Sequence, residues 1–280
     1  MSEPEIIRST TLWMQMKGLL FFTFILLSTI INTIYVLIPL LPLMFINHNL
    51  WRRLMDYLIG LWLLVPCVRF NFFFIFYNRQ KSVYYSVLSV NMNNIMGLME
   101  ILFGVKITIS GTKIDRTEPA LIIMNHRTCL DWLFFWIALI QINPYLLVSQ
   151  KISLKKIIRY IPGAGWAMAT NAYLFLTRRF EKDQKHIENM IDYYANSKQP
   201  YQLLLYPEGT DKDSRAVERS RQFALKHDLV HYNYVLHPRT TGFTIMLRKM
   251  RQASYVKNIY DVTIGYADAI VQSEFELLFK

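Results

Sequence analysis

Charge and cysteine are both scarce in this chain of 280 residues: 18% of positions are Asp, Glu, Lys or Arg, and there are two Cys. Two Cys cannot build a disulfide framework. Cys67 in an apolar run and Cys129 between polar and apolar stretches read as thiols of a reducing compartment. Glycine and proline number only 10 each, which excludes a collagen-like or low-complexity chain, and a hydrophobic share of 53% excludes disorder. Acids are scarcer than bases, 20 Asp and Glu against 31 Lys and Arg, for a formal charge of +11. That balance points to nucleic acid or to anionic lipid, and the placement of the apolar residues separates the two.

Between Gly18 and Ile46 there is no charged residue at all. Pro39 and Pro42 are expected to end a helix near Ile38, leaving about 31 Å at 1.5 Å per residue, close to the ~30 Å hydrocarbon thickness. One membrane span is expected. A cleavable signal peptide has an apolar region about half as long, followed by a small-residue cleavage pattern that is missing here. The second apolar stretch, Tyr57 to Val68, is too short to span alone; it reads as re-entrant or interfacial, or as the start of a longer segment. Lys17 on one side and Arg52 and Arg53 on the other do not set an orientation. The expected organisation is a membrane anchor over 1–68, an aromatic and Asn-rich insertion over 69–96 and a globular domain over 97–280.

The domain reads as α/β, a mainly parallel sheet flanked by helices. Val105, Ile107 and Ile109 alternate with polar residues before Gly111 and predict a half-buried strand. Ala120–Met124 and Gln202–Tyr206 are apolar runs of strand length, and shorter runs at Tyr234–Leu236 and Val262–Ile264 predict further strands. Ile187, Met190, Ile191 and Tyr194 give the stretch Lys182–Ser197 one apolar helical face. Lys151–Arg159 reads as a basic, partly apolar helix whose charges face either water or anionic phosphate groups such as lipid headgroups. In such sheets the loops at the strands' carboxyl ends carry the site.

Two of those loops are rich in chemistry. Ala120–Met124 runs into Asn125, His126, Arg127, Thr128, Cys129, Leu130 and Asp131. On a straight helix, positions five apart point about 140° from each other. If His126 closes the strand and Asp131 opens the next helix, the carboxylate can orient the imidazole. The other ring nitrogen is then left to take a proton from a hydroxyl. The alternative is a loop His beside a helix-capping Asp. The second loop is Tyr206-Pro207-Glu208-Gly209-Thr210, where Gly209 allows close approach of a ligand. No His, Cys or acidic cluster has metal-ligand spacing, and no metal is expected.

These motifs, following an apolar segment, resemble the glycerolipid acyltransferase family that includes the 1-acylglycerol-3-phosphate acyltransferases. The family's His, four residues, then Asp falls on His126 and Asp131. Its aromatic-aliphatic-x-Arg falls on Phe175 to Arg178, its aromatic-Pro-Glu-Gly-Thr on Tyr206 to Thr210, and its apolar run closed by Pro on Val235 to Pro238. Four motifs in order over about 97–270 are highly specific. The stretches around Asn125–Trp132, Ile161–Met168, Tyr206–Asp211 and Tyr234–Phe243 are most similar to the lysocardiolipin acyltransferase branch.

The resemblance implies a membrane-bound acyl-CoA:lysophospholipid O-acyltransferase in the endoplasmic reticulum membrane, its site open to the cytosol. Long-chain acyl-CoA, lysophospholipid and the bilayer are its expected partners, with no cofactor beyond the acyl-CoA co-substrate and no nucleic acid. His126 and Asp131 are the expected catalytic pair. Asn125 is a candidate for polarising the carbonyl, and Arg178, Glu208, Gly209, Thr210 and Pro238 are assigned to the acyl acceptor. Many members have Arg after Gly-Thr where this chain has Asp211. That change favours a phosphodiester acceptor such as lysocardiolipin, lysophosphatidylglycerol or lysophosphatidylinositol over a phosphate monoester. Relatives usually continue beyond the position of Lys280, so a shortened catalytic region is expected. Two other readings stay open: a CoA-independent phospholipid transacylase, and a catalytically inactive membrane-anchored lipid-binding protein.

Overall fold

The computed structural model describes residues 12–64, 105–267, 270–272 and 276. Cys67 and the insertion expected over 69–96 lie outside the described residues. Helix α1 (Leu12–Asn32) passes through a π-helical turn (Thr33–Leu37) into α2 (Ile38–Ile46). The prolines do not stop it. Pro39 lies directly after the π turn, in the first turn of α2, and Pro42 is accommodated inside that helix. At the entrance to the π turn, side chains bond back to carbonyls four residues earlier, Asn32 Nδ2 to Ser28 at 2.8 Å and Thr33 Oγ1 to Thr29 at 2.9 Å. Leu26–Ile46 has a mean hydropathy of 2.1 with 11% of its apolar window buried, and is long and apolar enough to cross a membrane.

Helix α3 (His48–Leu64) takes up the first part of the second apolar stretch and turns back along α2. Trp62 Nε1 reaches Ser28 Oγ at 3.3 Å. The inner face of this helix packs on the α/β domain. A Cβ at Gly60 would lie 2.5 Å from Val148, so the two backbones meet where only glycine fits. Beside it Trp51 and Met55 are buried, and with them the charged Arg52 and Asp56.

The domain follows with β1 (Ala120–Met124), α4 (Asp131–Ile142), α5 (Leu146–Ser149), β2 (Gln150–Lys155) and a 3-10 turn (Lys156–Tyr160). Next come α6 (Ala164–Thr170), β3 (Leu174–Leu176), α7 (Phe180–Ser197), β4 (Gln202–Leu205), α8 (Ser214–Lys226), α9 (Thr240–Gln252) and β5 (Asn258–Val262). The sheet order is β3-β2-β4-β1-β5 and every pairing is parallel. Because side chains alternate along a strand, Ile122, Met124 and Leu204 face a core with Leu133, Phe134 and Ile137 of α4. Leu121, Leu203 and Leu205 face the opposite core with Ile187, Ile191 and Tyr194 of α7 and Met246 and Met250 of α9. The sheet is thus sandwiched between helical layers, as the alternating strand and helix patterns predicted.

Three local expectations are corrected. Among the described residues, 105–110 pair with no strand; Val105 and Ile107 pack on the core while Ile109 remains 40% exposed. Tyr234–Leu236 is loop, held by side chains rather than by a ladder. The basic helix expected over Lys151–Arg159 is instead β2 followed by the 3-10 turn, because Ile152 belongs to the sheet core. Lys151 is fully buried at 0% exposure, its Nζ 2.9 Å from Asp56 Oδ1 and 2.7 Å from Asn171 Oδ1. Burial, only partly offset by Asp56, pulls its pKa down to about 8.

Candidate active site

Since all five strands are parallel, the residues after Met124, Lys155, Leu176, Leu205 and Val262 gather at one edge of the sheet. The chain leaving β1 turns back at Thr128, whose carbonyl accepts the Asp131 N–H at 3.3 Å, and Asp131 becomes the first residue of α4. This brings His126 Nδ1 to 2.9 Å from Asp131 Oδ2. The same oxygen accepts the Thr128 N–H at 3.0 Å, so it acts as acceptor and the Nδ1 proton points to it. Nε2 is then the basic nitrogen. Asp131 is 0% exposed whereas the His126 side chain keeps 17%, an opening through which a substrate hydroxyl can approach. The His126 ring stacks on Tyr206 with centroids 4.1 Å apart and 26° between planes.

The Pro-Glu-Gly-Thr loop lies directly against this turn because β4 is the neighbour of β1. Glu208 Oε1 accepts the His126 N–H and Oε2 the Leu236 N–H, both at 2.9 Å. The carboxylate therefore clamps the loops after β1 and before α9 to each other. Burial raises its pKa, an effect the two backbone donors oppose. The His126 carbonyl is also held, by the Lys212 N–H at 3.1 Å. Gly209 sits at φ +76°, and a Cβ there would come to 3.5 Å from Arg239 Cδ. Pro238 is exposed beside this turn, tied to it by the next residue: the Arg239 N–H donates to the Pro207 carbonyl at 2.8 Å. Thr210 Oγ1 bonds Asp211 Oδ1 at 3.1 Å.

Arg178 follows β3, three strand positions from β1 and hence about 14 Å away at the sheet. It adopts φ +64°, the left-handed region that a non-glycine residue enters at some strain. Asp183 fixes this corner by accepting the Thr177 N–H and hydroxyl, both at 2.8 Å, and the Arg179 N–H at 3.1 Å. Burial lowers the pKa of Arg178, and the fields of Arg239 and Arg219 lower it further, against the opposing field of Asp211. The charges of Arg239, Arg219 and Asp211 are thus all felt at Arg178, two of them positive and one negative.

The carboxamide of Asn125 is engaged on both sides by the chain after β5. Its Nδ2 donates to the Ile264 carbonyl at 3.1 Å and its Oδ1 accepts the Ile264 N–H at 2.8 Å. Two residues later the Tyr266 hydroxyl donates to Asp131 Oδ1, and its ring meets Phe134 edge-on at 5.8 Å. Burial and the bond to Asp131 push the Tyr266 pKa up, which keeps it a donor. Sequence reasoning picked out neither Tyr266 nor Asp183. A helix-start acid four residues after Arg179 was a local signal for the second, whereas nothing in the spacing marks the first.

The Acyltransferase family model matches residues 106–267, more than half of the chain and all of the strands just described. The chain belongs to the acyltransferase family. It is 44% identical over 250 residues to a Caenorhabditis elegans protein named lysophosphatidylinositol acyltransferase 10, covering 89% of this chain and 56% of that one. It is 37% identical over 262 residues to Mus musculus lysocardiolipin acyltransferase 1, covering 94% and 61%. A probable 1-acyl-sn-glycerol-3-phosphate acyltransferase 5 of Arabidopsis thaliana is 32% identical over 169 residues, covering 60% and 44%. The chain thus spans about six tenths of the length of the first two relatives. No solved structure matches it. The similarity to lysocardiolipin and lysophosphatidylinositol acyltransferases agrees with the branch that the stretches at Asn125–Trp132, Ile161–Met168, Tyr206–Asp211 and Tyr234–Phe243 indicated.

Proposed function

We propose that this acyltransferase domain transfers a long-chain acyl group from acyl-CoA to a free glycerol hydroxyl of an anionic lysophospholipid, using His126 as general base. The observation that carries the reading is the 2.9 Å contact between His126 Nδ1 and Asp131 Oδ2, which leaves Nε2 to accept the hydroxyl proton. The alkoxide oxygen forms its bond to the thioester carbonyl carbon as the proton passes to Nε2. When the tetrahedral intermediate collapses, the carbon–sulfur bond breaks and the imidazolium returns its proton to the CoA thiolate. Asp131 holds the tautomer, Tyr266 holds Asp131, and Glu208 holds the His126 backbone. Each is a positioning residue. Arg178, Arg239 and Arg219 supply the positive field for the acceptor's phosphodiester. The turn at Gly209 and Thr210, with Pro238 beside it, shapes the acceptor's seat, and Asn125 fixes the chain that carries Tyr266.

Lysophosphatidylinositol and lysocardiolipin are the acceptors this reading favours, given the names of the relatives at 44% and 37% identity. The working place is the endoplasmic reticulum membrane, with the site open to cytosolic acyl-CoA. The test is purified protein given labelled acyl-CoA or labelled phospholipid as donor with a panel of lysolipids. Transfer from acyl-CoA alone supports the reading. Transfer from phospholipid alone makes the protein a transacylase.

A further inference from the structure

The segment joining β2 to α6 carries no role in the chemistry above, yet its surface is unusual. Ile157 is 70% exposed, Tyr160 65%, Trp166 48% and Ile161 46%, so four large apolar side chains face outward within ten residues. Lys155, Lys156 and Arg159 are exposed among them, and none forms an ion pair among the described residues. A solvated face would not present Ile, Tyr and Trp together, and a basic face interleaved with amphipathic aromatics has the composition of a headgroup-level surface.

Its surroundings name the occupant. Gly163, at φ +74°, is seated against α1: a Cβ there would lie 2.8 Å from Thr29 Cγ2 and 3.5 Å from the Ile30 backbone nitrogen. On that stretch of α1, within the apolar segment Leu26–Ile46, Leu26, Leu27 and Ile31 are themselves 40% to 52% exposed. The patch therefore continues an apolar helix surface instead of standing alone. It also follows the carboxyl end of β2, the strand between β3 and β4, whose own following loops carry Arg178 and Glu208.

We propose that Lys155–Trp166 docks on the surface of an anionic bilayer and forms the lip over which the lipid acceptor passes from that leaflet to His126. The docking stands on geometry and composition alone, whereas the role as a lip rests on the acyltransferase reading. The experiment uses the full chain, with Cys67 and Cys129 replaced by Ser. An environment-sensitive fluorophore is placed on Ile157→Cys or, as reference, on Lys257→Cys, which is exposed at the amino end of β5 on the far edge of the sheet. In vesicles of phosphatidylcholine with phosphatidylserine, the label at 157 should emit to the blue and be quenched by doxyl-labelled lipid, more than in phosphatidylcholine alone. The label at 257 should stay water-like. A water-like label at 157 in both vesicles overturns the docking.

The second arm measures acyl transfer by Ile157→Asp/Ile161→Asp in the native-cysteine chain. KM for vesicle-borne lysolipid should rise roughly ten-fold, with little change for a short-chain, monomeric lysolipid. An equal change for both acceptors, or none for either, overturns the lip. If the unsubstituted chain transfers no acyl group, the functional reading fails, and the fluorescence arm still decides the docking.

Discussion

Replacing Asp56 by Asn should unlock helix α3 from the sheet. Asp56 is 4% exposed; its Oδ1 takes Arg52 Nη2 at 2.8 Å and Lys151 Nζ at 2.9 Å, and its Oδ2 takes the Tyr201 hydroxyl at 2.5 Å. Arg52 and Lys151 are 3% and 0% exposed, so the amide leaves two buried cations without a counterion. Breaking a buried pair in this way costs about 3–5 kcal/mol out of a total stability of ~5–15 kcal/mol. At about 2–4 °C per kcal/mol for a chain of this order, Tm should fall by roughly 10 °C. The assay is thermal unfolding of detergent-solubilised protein followed by tryptophan emission, at one scan rate. Lys151→Met should cost less, since it removes a charge that burial already penalises and leaves Asp56 with Arg52 and Tyr201. The two variants also separate in pH. Lys151 titrates at about 8 in the folded chain against a usual 10.5, so between these values the unfolded chain holds more protons and stability should rise with pH. The penalty is complete below the folded value, and its relief is worth roughly 3 kcal/mol. Lys151→Met should lack that rise. If Asp56→Asn melts within about 2 °C of the parent, or Lys151→Met costs more than it does, the network does not hold α3 as described.

Three further outcomes follow from the site. Tyr266→Phe removes the donor to Asp131 Oδ1, and a hydrogen bond to a charged group is worth about 1.5–3 kcal/mol. Initial-rate kinetics should show kcat down at least about ten-fold with KM little changed, and an unchanged kcat would remove Tyr266 from the apparatus. Glu208→Gln turns an acceptor into a donor opposite a backbone N–H, so either His126 or Leu236 loses its partner. A loss of about 1–3 kcal/mol in thermal unfolding, together with lower kcat, is expected, and full stability would contradict the clamp. Asp211→Arg adds a cation beside Arg178 and Arg239. It should shift kcat/KM toward lysophosphatidic acid over phosphodiester acceptors by about ten-fold, and a constant ratio would refute the charge argument.

What could be read in advance was whatever the chain encodes locally. Ala120–Met124 matches β1 residue for residue, and Ile187, Ile191 and Tyr194 form the buried stripe of α7 that their spacing implied. The pairing of His126 with Asp131 was legible because a strand end and a helix start five residues apart leave the chain little choice but to fold back. What escaped was set by contacts between distant segments. Lys151 looked like part of a basic helix because lysine is almost never buried, and its burial is made tolerable by Asp56, 95 positions earlier, together with Asn171. Tyr266 reaches Asp131 because β5 pairs with β1, and Asn125 then anchors Ile264. Neither pairing leaves a mark in the sequence around Tyr266. The prolines misled for a related reason: rules for helix ends assume a regular helix, and a π turn at Thr33–Leu37 precedes them.

The central claim is that His126 is the base in acyl transfer from acyl-CoA to a lysophospholipid, and single-turnover assays of purified His126→Ala beside the parent test it most directly. The parent should acylate lysophosphatidylinositol or lysocardiolipin with release of one CoA thiol per acyl group. The variant should lose at least about a hundred-fold in rate while melting at the parent's temperature. A folded His126→Ala protein that transfers acyl groups at the parent's rate would contradict the account.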